Sequence, residues 1–535
     1  MCGITGIFSN KNDLYVINEM TNSLKKRGPD GSGILYGSSL DSDLKVKYFQ
    51  PMESCDFKVE DKRINFALGH TRLAIIDTDD RSLQPMSCKY SRYWIVFNGE
   101  IFNYIELKNE LIAAGYEFNT SSDTEVVLNS FDYWGKNCLN KFNGMWAFCI
   151  FDTKTKNVFL SRDRFGEKPF YYVNNDDFFI FGSEIKSLFS SALIKPEVIE
   201  SEAARFLEKG PVEFENSTFF KNVQRLPAGH YIEFNLNNFP DNQLPIPYWK
   251  LIVNTSTEPF NEEQSKKYAA RYYELLKDSV RLRLRCDVPI GSALSGGLDS
   301  SSIVYLIKEL IDEDEFNFRQ VTFSCVYKDD PKTKYCDEST YIELLVNELG
   351  ITNYQITPYA KEIPAEHSKM IESFECPPEN TCMSGWYTYK LVKEKEIKVT
   401  LDGQGADEQL TGYLYYYAFF LYSLSIKDFL RELYYCSKVP GAGPYVRRGA
   451  IAFIVKCFFG KRATSFLIKK IFGRKVPSNL NEVLNRDFST GLVNLFNNAD
   501  RASMAHSVES RMPYVDYRLV EFLASVPASY KIHKG

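Results

Sequence analysis

The segment Ser292–Ile303, SALSGGLDSSSI, decides the fold of the C-terminal half. An apolar run, Ile290–Leu294, leads into small residues and glycines, and a helical pattern opens at the serines. Successive backbone N–H groups in such a turn form an anion nest, and the helix N-terminus adds the positive end of a dipole. That geometry suits a pyrophosphate. No GxxxxGK[ST] occurs, so the loop is not a Walker A sequence.

Outward from this loop, further strands are expected at Val321–Val326 and Lys398–Leu401, with an amphipathic helix at Tyr268–Arg283 ahead of it. Strands alternating with helices imply a parallel α/β sheet rich in helices. The first 200 or so residues read differently. Phe66–Leu68, Leu73–Ile76, Tyr93–Phe97, Ala147–Phe151, Val158–Ser161, Phe170–Val173 and Phe178–Gly182 are short apolar or aromatic runs bounded by turn residues. Helical patterns near Ile105–Ala114 and Thr124–Trp134 break the series, with Asp123 at an expected N-cap. A strand-rich, layered α+β domain follows from this pattern. Irregular composition between Pro240 and Pro259 reads as a connection between the two halves.

Bulk properties agree. At 535 residues the chain exceeds one core, so two domains are expected. A net charge of −5, from 64 basic and 69 acidic residues, excludes a polyanion-binding stripe and gives no nucleic-acid partner. The 12 cysteines are scattered with no CxxC pair, and Cys376 and Cys382, with five residues between them, fit no common zinc site. With no secretory leader visible, they read as cytosolic thiols, and a cytoplasmic location is expected. The most apolar stretches, Leu414–Leu424 and Ala450–Phe459, fall short of the roughly 18–20 residues of a membrane span and are expected as buried helices.

Cys2 carries the second chemical signal. Removal of Met1 would leave it with a thiol and a free α-amine, of ordinary pKa about 8.5 and about 8. The amine can take the thiol's proton and return it, which makes a self-contained nucleophile and base.

Four blocks follow in order: RGPDG at Arg27–Gly31, GHTRLAIID at Gly69–Asp77, FNGEIFNY at Phe97–Tyr104 and SSDTE at Ser121–Glu125. With the N-terminal Cys-Gly they resemble class II glutamine amidotransferases. The resemblance implies an N-terminal-nucleophile glutaminase domain, a layered αββα sandwich, over 2–218. It places the oxyanion hole at the Asn98 side chain and the Gly99 backbone N–H, where charge develops during attack on the amide. Arg72 would take the α-carboxylate of glutamine and Asp123 its ammonium, with backbone at Ile75 and Ile76, and Glu100, completing the pocket. The blocks RDRFGEKP (Arg162–Pro169), GSEIKSL (Gly182–Leu188) and RLPAGHY (Arg225–Tyr231) belong to the same resemblance and read as framework and interface.

SGGLDSS in turn resembles the pyrophosphate loop of ATP-pyrophosphatases, which form acyl-adenylates. With LDGQGADEQLTGY at Leu401–Tyr413 and MAHSVESRMPYVDYRLVEF at Met504–Phe522, the chain is similar to asparagine synthetases over nearly its whole length. That implies a connecting segment at 219–260 and an ATP-pyrophosphatase domain at 261–535. The resemblance assigns ATP contacts to Leu294, Ser295, Gly296, Gly297, Asp299, Ser300, Cys325, Asp402 and Gly403. Cys325 is a packing residue there, not a nucleophile. The acceptor site takes Gln404, Asp407 and Tyr413, and Glu509, Arg511 and Asp516 match further charged positions. Asp299 and Asp407 are expected to hold Mg²⁺.

The function implied is an ATP-dependent carbon–nitrogen ligase that moves ammonia from glutamine to an adenylated aspartate, with ATP and Mg²⁺ as cofactors; a homodimer is usual in the family. Two departures keep alternatives open. Gln404 stands where glutamate is common, which raises another carboxylate, such as a uronic acid in surface-polysaccharide synthesis, as acceptor. The sequence stops at Gly535, where the family runs on for tens of residues with a lysine facing the ATP phosphates. That raises a C-terminally short chain, or a glutamine-binding protein with an inactive synthetase half.

Overall fold

The computed structural model describes the chain except for residues 10–13, 39–43, 50–63, 89–90, 210–217, 240–243, 257, 329–332, 378–381 and 473–478. It divides into two compact units. The first comprises Met1–Lys250, Val280–Asp402 and Asn494–Arg511; the second comprises Leu251–Ser279, Gly403–Val493 and Met512–Gly535.

In the first unit thirteen strands precede residue 250: β1 (Gly3–Ser9), β2 (Gly31–Gly37), β3 (Leu44–Phe49), β4 (Phe66–Arg72), β5 (Met86–Ser87), β6 (Tyr93–Ile101), β7 (Gly144–Asp152), β8 (Asn157–Arg162), β9 (Tyr171–Asn174), β10 (Phe178–Gly182), β11 (Gln224–Arg225), β12 (His230–Asn235) and β13 (Ile246–Pro247). They form two antiparallel sheets, ordered β11-β9-β10-β1-β4-β2-β3 and β13-β12-β8-β7-β6-β5. Successive side chains of a strand point to opposite faces, and β7 uses both. Ala147, Cys149 and Phe151 enter the layer between the sheets with Ile4, Phe8 and Phe66. Trp146, Phe148 and Ile150 pack outward with Leu107, Leu111, Val126 and Val127 of the helices Tyr104–Ala113 and Asp123–Trp134. On the other sheet Ile7, Ile34 and Ile180 pack against Ile17, Met20, Ile185 and Leu188 of two further helices. The result is the expected αββα sandwich.

Two local expectations are corrected. Leu73–Ile76 is not a strand: β4 ends at Arg72, and this run is a buried loop. Its polar backbone is met singly rather than by a ladder, Ala74 N–H donating to Asp30 at 2.8 Å and Ile75 C=O accepting from Asp287 N–H at 2.9 Å. The N-cap of Asp123–Trp134 is Ser122, whose hydroxyl accepts from Thr124 N–H. That leaves the Asp123 carboxylate free to accept Ile101 N–H at 2.9 Å. Of the irregular stretch from Pro240 to Pro259, residues 240–243 and 257 lie outside the described residues, while Ile246–Pro247 pair with β12.

The first unit also holds a five-stranded, wholly parallel sheet of β14 (Ile290–Ala293), β15 (Val321–Cys325), β16 (Thr352–Ile356), β17 (Val399–Leu401) and β18 (Glu509–Arg511), ordered β16-β15-β14-β17-β18. The helix Leu298–Asp312 leaves β14, as the sequence pattern requires. The carboxyl ends of neighbouring parallel strands are where open α/β sheets bind ligands. Ser295, Cys325 and Asp402 stand at the carboxyl ends of β14, β15 and β17.

The second unit is helical. Its core joins Tyr416, Phe420 and Leu421 of Tyr416–Ser423 to Phe429, Phe453, Val483 and Leu484, with the Phe429 and Phe453 rings stacked at 3.8 Å. The apolar stretches Leu414–Leu424 and Ala450–Phe459 are thus helical. Neither is wholly buried: Tyr416 and Ala418–Leu421 are buried but Leu414 is exposed, and Ala452 and Phe453 point inward while Ile451, Ile454 and Phe458 are exposed. Among the described residues no helix is long and apolar enough to cross a membrane.

The RDRFGEKP turn shows how the sandwich is locked. Asp163 is fully buried and its carboxylate accepts four backbone N–H groups, from Phe165, Glu167, Lys168 and Trp146, at 2.9–3.3 Å. Arg162 donates to the carbonyls of Lys168, Gly166 and Leu226. Asp163→Ala strands four buried donors, each costing about 1–3 kcal/mol less whatever water recovers. We expect a net destabilisation of about 3–4 kcal/mol in urea unfolding; a midpoint equal to wild type would contradict this reading of the turn.

Candidate active site

β1 and β4 pair with Gly3 opposite Thr71, so Cys2 faces the end of β4 at Arg72. Cys2 is half-buried, its Sγ 4.0 Å from Leu73 C=O. Burial pushes the thiol up to about 11, while the Met1 amine and the Arg72 guanidinium pull the other way and Glu100 adds to the rise. The Arg72 guanidinium is buried and donates to Asp79 C=O at 2.8 Å and to Asp77 C=O, so the loop after β4 orients it.

β6 delivers Asn98, Gly99 and Glu100. Asn98 is fully buried, and neither its Oδ1 nor its Nδ2 has a hydrogen-bond partner. Buried amides are ordinarily satisfied, so an unpaired one in this position is poised for a ligand. Gly99 has no room for a side chain: a Cβ would sit 2.1 Å from Met145 C=O on β7. Burial raises the Asp123 carboxyl to about 7, although Ile101 N–H favours its charged form. Glu100 is likewise raised, first by burial and then by the charges of Asp123 and Glu509. Cys2, Arg72, Asn98, Gly99, Glu100 and Asp123 therefore converge, with a cation and a carboxylate available for an α-amino acid. Ile75 and Ile76 lie in the buried loop beside Arg72.

Behind this pocket stands β18. Arg511 donates to Glu509 at 2.6 Å and to the carbonyls of Arg283 and Arg285 at 2.7 Å, and comes within 3.8 Å of Glu100. Glu509 reaches the Met1 amine at 3.5 Å. Burial alone would raise the Glu509 carboxyl, but Arg511 and the Met1 amine outweigh it and hold it low. The intervening Ser510 points the other way and donates to Asp402 at 2.5 Å, as does Tyr389. The second oxygen of Asp402 is buried without a partner, and burial raises this carboxyl.

At the glycine-rich turn, Gly296 has φ +90°, a left-handed conformation that favours glycine. Ser295 and Ser300 hydroxyls lie 3.1 Å apart, and Leu298 at the helix start is 86 % exposed, leaving an open cradle at the N-terminus of Leu298–Asp312. Asp299 sits in the first turn of that helix. The Leu294 side chain is buried among Val304, Val326 and Ile342, so only its backbone is available to a ligand. Cys325 packs half-buried with its Sγ 3.6 Å from Tyr327 Oη, and burial raises the thiol.

Gly403, Gln404, Asp407 and Tyr413 belong to the second unit. Gln404 Oε1 is buried without a partner. Tyr413 donates to Glu408 at 2.8 Å, and burial raises the Asp407 carboxyl. Asp516 caps the helix Tyr517–Ser525 and holds Arg518 at 2.8 Å.

Arg27, which lies in the RGPDG block but was given no individual role from sequence, is a further contributor. Its Nε donates to Cys2 C=O at 3.1 Å while its other nitrogens reach Asp500 at 2.8 Å and Glu184 at 3.1 Å. The RGPDG block was the available signal, but its arginine finds its anions 157 and 473 residues away.

Comparison with known proteins divides the sequence into two consecutive parts. The glutamine amidotransferase domain family matches residues 55–249, and the asparagine synthase family matches residues 271–535. Asparagine synthetase (glutamine-hydrolyzing) 3 of Bacillus subtilis is 28% identical over 100% of this chain and 82% of its own length. A Methanocaldococcus jannaschii protein provisionally named asparagine synthetase (glutamine-hydrolyzing) 2 is 33% identical over 77% of this chain and 76% of its own. Among solved structures, the glutamine phosphoribosylpyrophosphate amidotransferase of B. subtilis covers 66% of this chain and 81% of that one, at 16% identity and a TM-score of 0.37, too loose to add to the fold above. With both halves of its sequence matched in order, the chain belongs to the glutamine-hydrolysing asparagine synthetase family.

Proposed function

We propose that this chain hydrolyses glutamine at Cys2 and adds the ammonia to a carboxylate that ATP has adenylated, with aspartate as acceptor and asparagine as product. The amidotransferase half is 2–218, the connection 219–260 and the synthetase half 261–535. The observation that carries the reading is the buried Asn98 amide, unpaired at both polar atoms, in the same pocket as Cys2, Arg72 and Asp123.

After loss of Met1, the Cys2 α-amine takes the thiol proton and the thiolate attacks the side-chain amide of glutamine. Asn98 Nδ2 and Gly99 N–H hold the resulting oxyanion. Arg72 binds the α-carboxylate and Asp123 the ammonium. Collapse breaks the C–N bond; the amine returns its proton to the leaving ammonia, and a glutamyl thioester remains for water to cleave. In the synthetase half the backbone of Ser295–Gly297, the Ser295 and Ser300 hydroxyls and the helix dipole receive the phosphates. The acceptor carboxylate displaces pyrophosphate from ATP, and ammonia then displaces AMP, forming the amide. Among the described residues no group of three His, Cys, Asp or Glu is arranged around a metal. Asp299 in the first unit and Asp407 in the second are each a candidate carboxylate to hold Mg²⁺, which prefers oxygen ligands. Bound there, it would neutralise charge on the departing pyrophosphate.

A second reading keeps the chemistry and changes the acceptor. The carboxamide of Gln404, buried with an unpaired oxygen, favours it, since a neutral group replaces the charge expected there. AMP release with aspartate, measured against a panel of sugar acids, separates the two.

Three outcomes test the proposal. Cys2→Ala should lower glutamine-driven amide formation at least 10³-fold, an effect of about 4 kcal/mol, and leave ammonia-driven formation intact; loss of both contradicts two separable sites. Asp123 must be charged to hold the ammonium, yet its carboxyl in the empty pocket sits at about 7. Below pH 7 protons compete with glutamine, so KM for glutamine should rise by up to about tenfold per pH unit and flatten above. Asp123→Asn should abolish that slope; a slope unchanged in this variant would assign it to another group.

A further inference from the structure

We infer that a pocket built around Arg225, separate from Cys2 and from the glycine-rich turn, binds a small oxyanion of the carboxylate or phosphate class. It lies within the first unit, where β9, β11 and the residues after the helix Ile363–Phe374 meet the helix Leu480–Ala505. Its polar lining is Arg225, Arg501, Glu375 and the amides of Asn494, Asn497 and Asn498; Phe206, Phe219 and Phe220 wall it.

Charge pairing singles out Arg225. It is 8 % exposed, and its Nε and Nη1 are buried with no hydrogen-bond partner. No carboxylate lies within ion-pair distance of it among the described residues; its one recorded neighbour is the face of the Tyr171 ring, 5.7 Å from the guanidinium. Arg501 sits over the same ring at 5.7 Å, but it is satisfied: it donates to Tyr171 Oη at 2.8 Å and to Cys376 Sγ, and pairs with Glu375 at 3.5 Å. Glu375 is in turn committed to the backbone N–H groups of Ile185 and Lys186. Arg162, the next guanidinium, has only carbonyl partners. Burial, and then the charge of Arg225, pull it down to about 10. Among the described residues the positive charge at Arg225 is therefore uncompensated.

A buried charge without a partner costs several kcal/mol and is ordinarily paired. Here the missing partner has a place to sit. The cavity offers ≈ 60 Å³, and at about 10–15 Å³ for one water it takes about four to six non-hydrogen atoms. Acetate and phosphate have that size; a nucleotide does not. The buried Nδ2 of Asn498 is a further unpartnered donor on the lining. A guanidinium fork with an adjacent amide matches two oxygens of one anion.

The test is calorimetric titration of the intact protein with inorganic phosphate and, separately, with acetate, each against chloride at equal ionic strength. Arg225→Met keeps the length and apolar stem and removes the charge. One equivalent of oxyanion binding present in the wild type should disappear in Arg225→Met and persist in Ser300→Ala, which perturbs the glycine-rich turn. Loss of the phosphate equivalent alone identifies a phosphate-type ligand, and loss of the acetate equivalent alone a carboxylate-type one. Asn498→Leu, an independent variant, should weaken the same binding about tenfold. In chloride buffer Arg225→Met should melt no lower than wild type, because an unpaired buried charge has been removed. Binding unchanged in both Arg225→Met and Asn498→Leu, no binding beyond chloride, or a collapse in stability of Arg225→Met would each overturn the inference and make Arg225 a framework residue. None of these outcomes depends on glutamine hydrolysis at Cys2.

Discussion

The alternation of β18 is the constraint on which the first unit turns. Three residues, Glu509–Arg511, sit at the edge of the parallel sheet, and the period of two sends their side chains to opposite sides. Glu509 and Arg511 enter the pocket of the sandwich half, against the Met1 amine and Glu100. Ser510 reaches the Asp402 carboxylate at the end of β17. Asp402 N–H is also bonded to Arg511 C=O at 2.8 Å. One short strand thus touches the thiol's surroundings with two residues and Asp402, at the carboxyl end of β17, with the third. A slip of one residue would exchange the sets and bury Ser510 where two charges are needed.

Buried and half-buried charged groups link the sandwich to the parallel sheet and its helices. Arg27, Glu184, Asp500, Glu509 and Arg511 are all buried. Breaking such a pair by removing one partner costs about 3–5 kcal/mol, whereas the intact pair adds little net stability. Their value here is position. Arg27 ties Cys2 C=O to Asp500 on a helix that begins at Leu480, and Lys398 pairs with Asp30 of the RGPDG block at 2.7 Å. An apolar seam would tolerate sliding; forks of donors aimed at named carboxylates and carbonyls do not. Such rigidity suits a thiol that burial makes hard to ionise, because the groups that assist it must stay within reach.

How legible this was follows the type of signal. Continuous apolar runs located β6, β7, β8 and β10, because strands such as β7 bury both faces; β10 matched residue by residue, while β6 runs four residues further at its end and β7 begins three residues earlier. β1 and β2 were missed because GITGIFS and GSGILYG read as glycine-rich turns, and only neighbouring backbone makes them central strands. β16 and β18 were missed for another reason: TNYQI and ESR are polar, and their strand character comes from pairing alone. Leu73–Ile76 shows the converse, an apolar run buried as a loop. The candidate site residues came from ordered motif blocks. What no local pattern announced is the pairing of Arg27 with Glu184 and Asp500, or that Arg225 within RLPAGHY has no ion-pair partner among the described residues. Both are properties of partners far away in sequence.

The two halves of the proposed chemistry make different demands on the fold, and that explains where the ambiguity falls. Glutamine is a single ligand with fixed charges, so its pocket reduces to one cation, one carboxylate and an unpaired amide, all supplied by the sandwich. An acceptor carboxylate has to be brought beside a nucleotide and then lose its charge on adenylation. The groups that recognise it must favour the transition state over the ground state. A carboxylate at position 404 would repel the incoming acid until it reacted; the carboxamide of Gln404 can donate to that acid or accept from it without repulsion. The substitution therefore trades a charge that acts through metal or proton for a neutral contact that acts by shape and hydrogen bonding, and acceptor choice moves to whatever pairs with its unsatisfied oxygen.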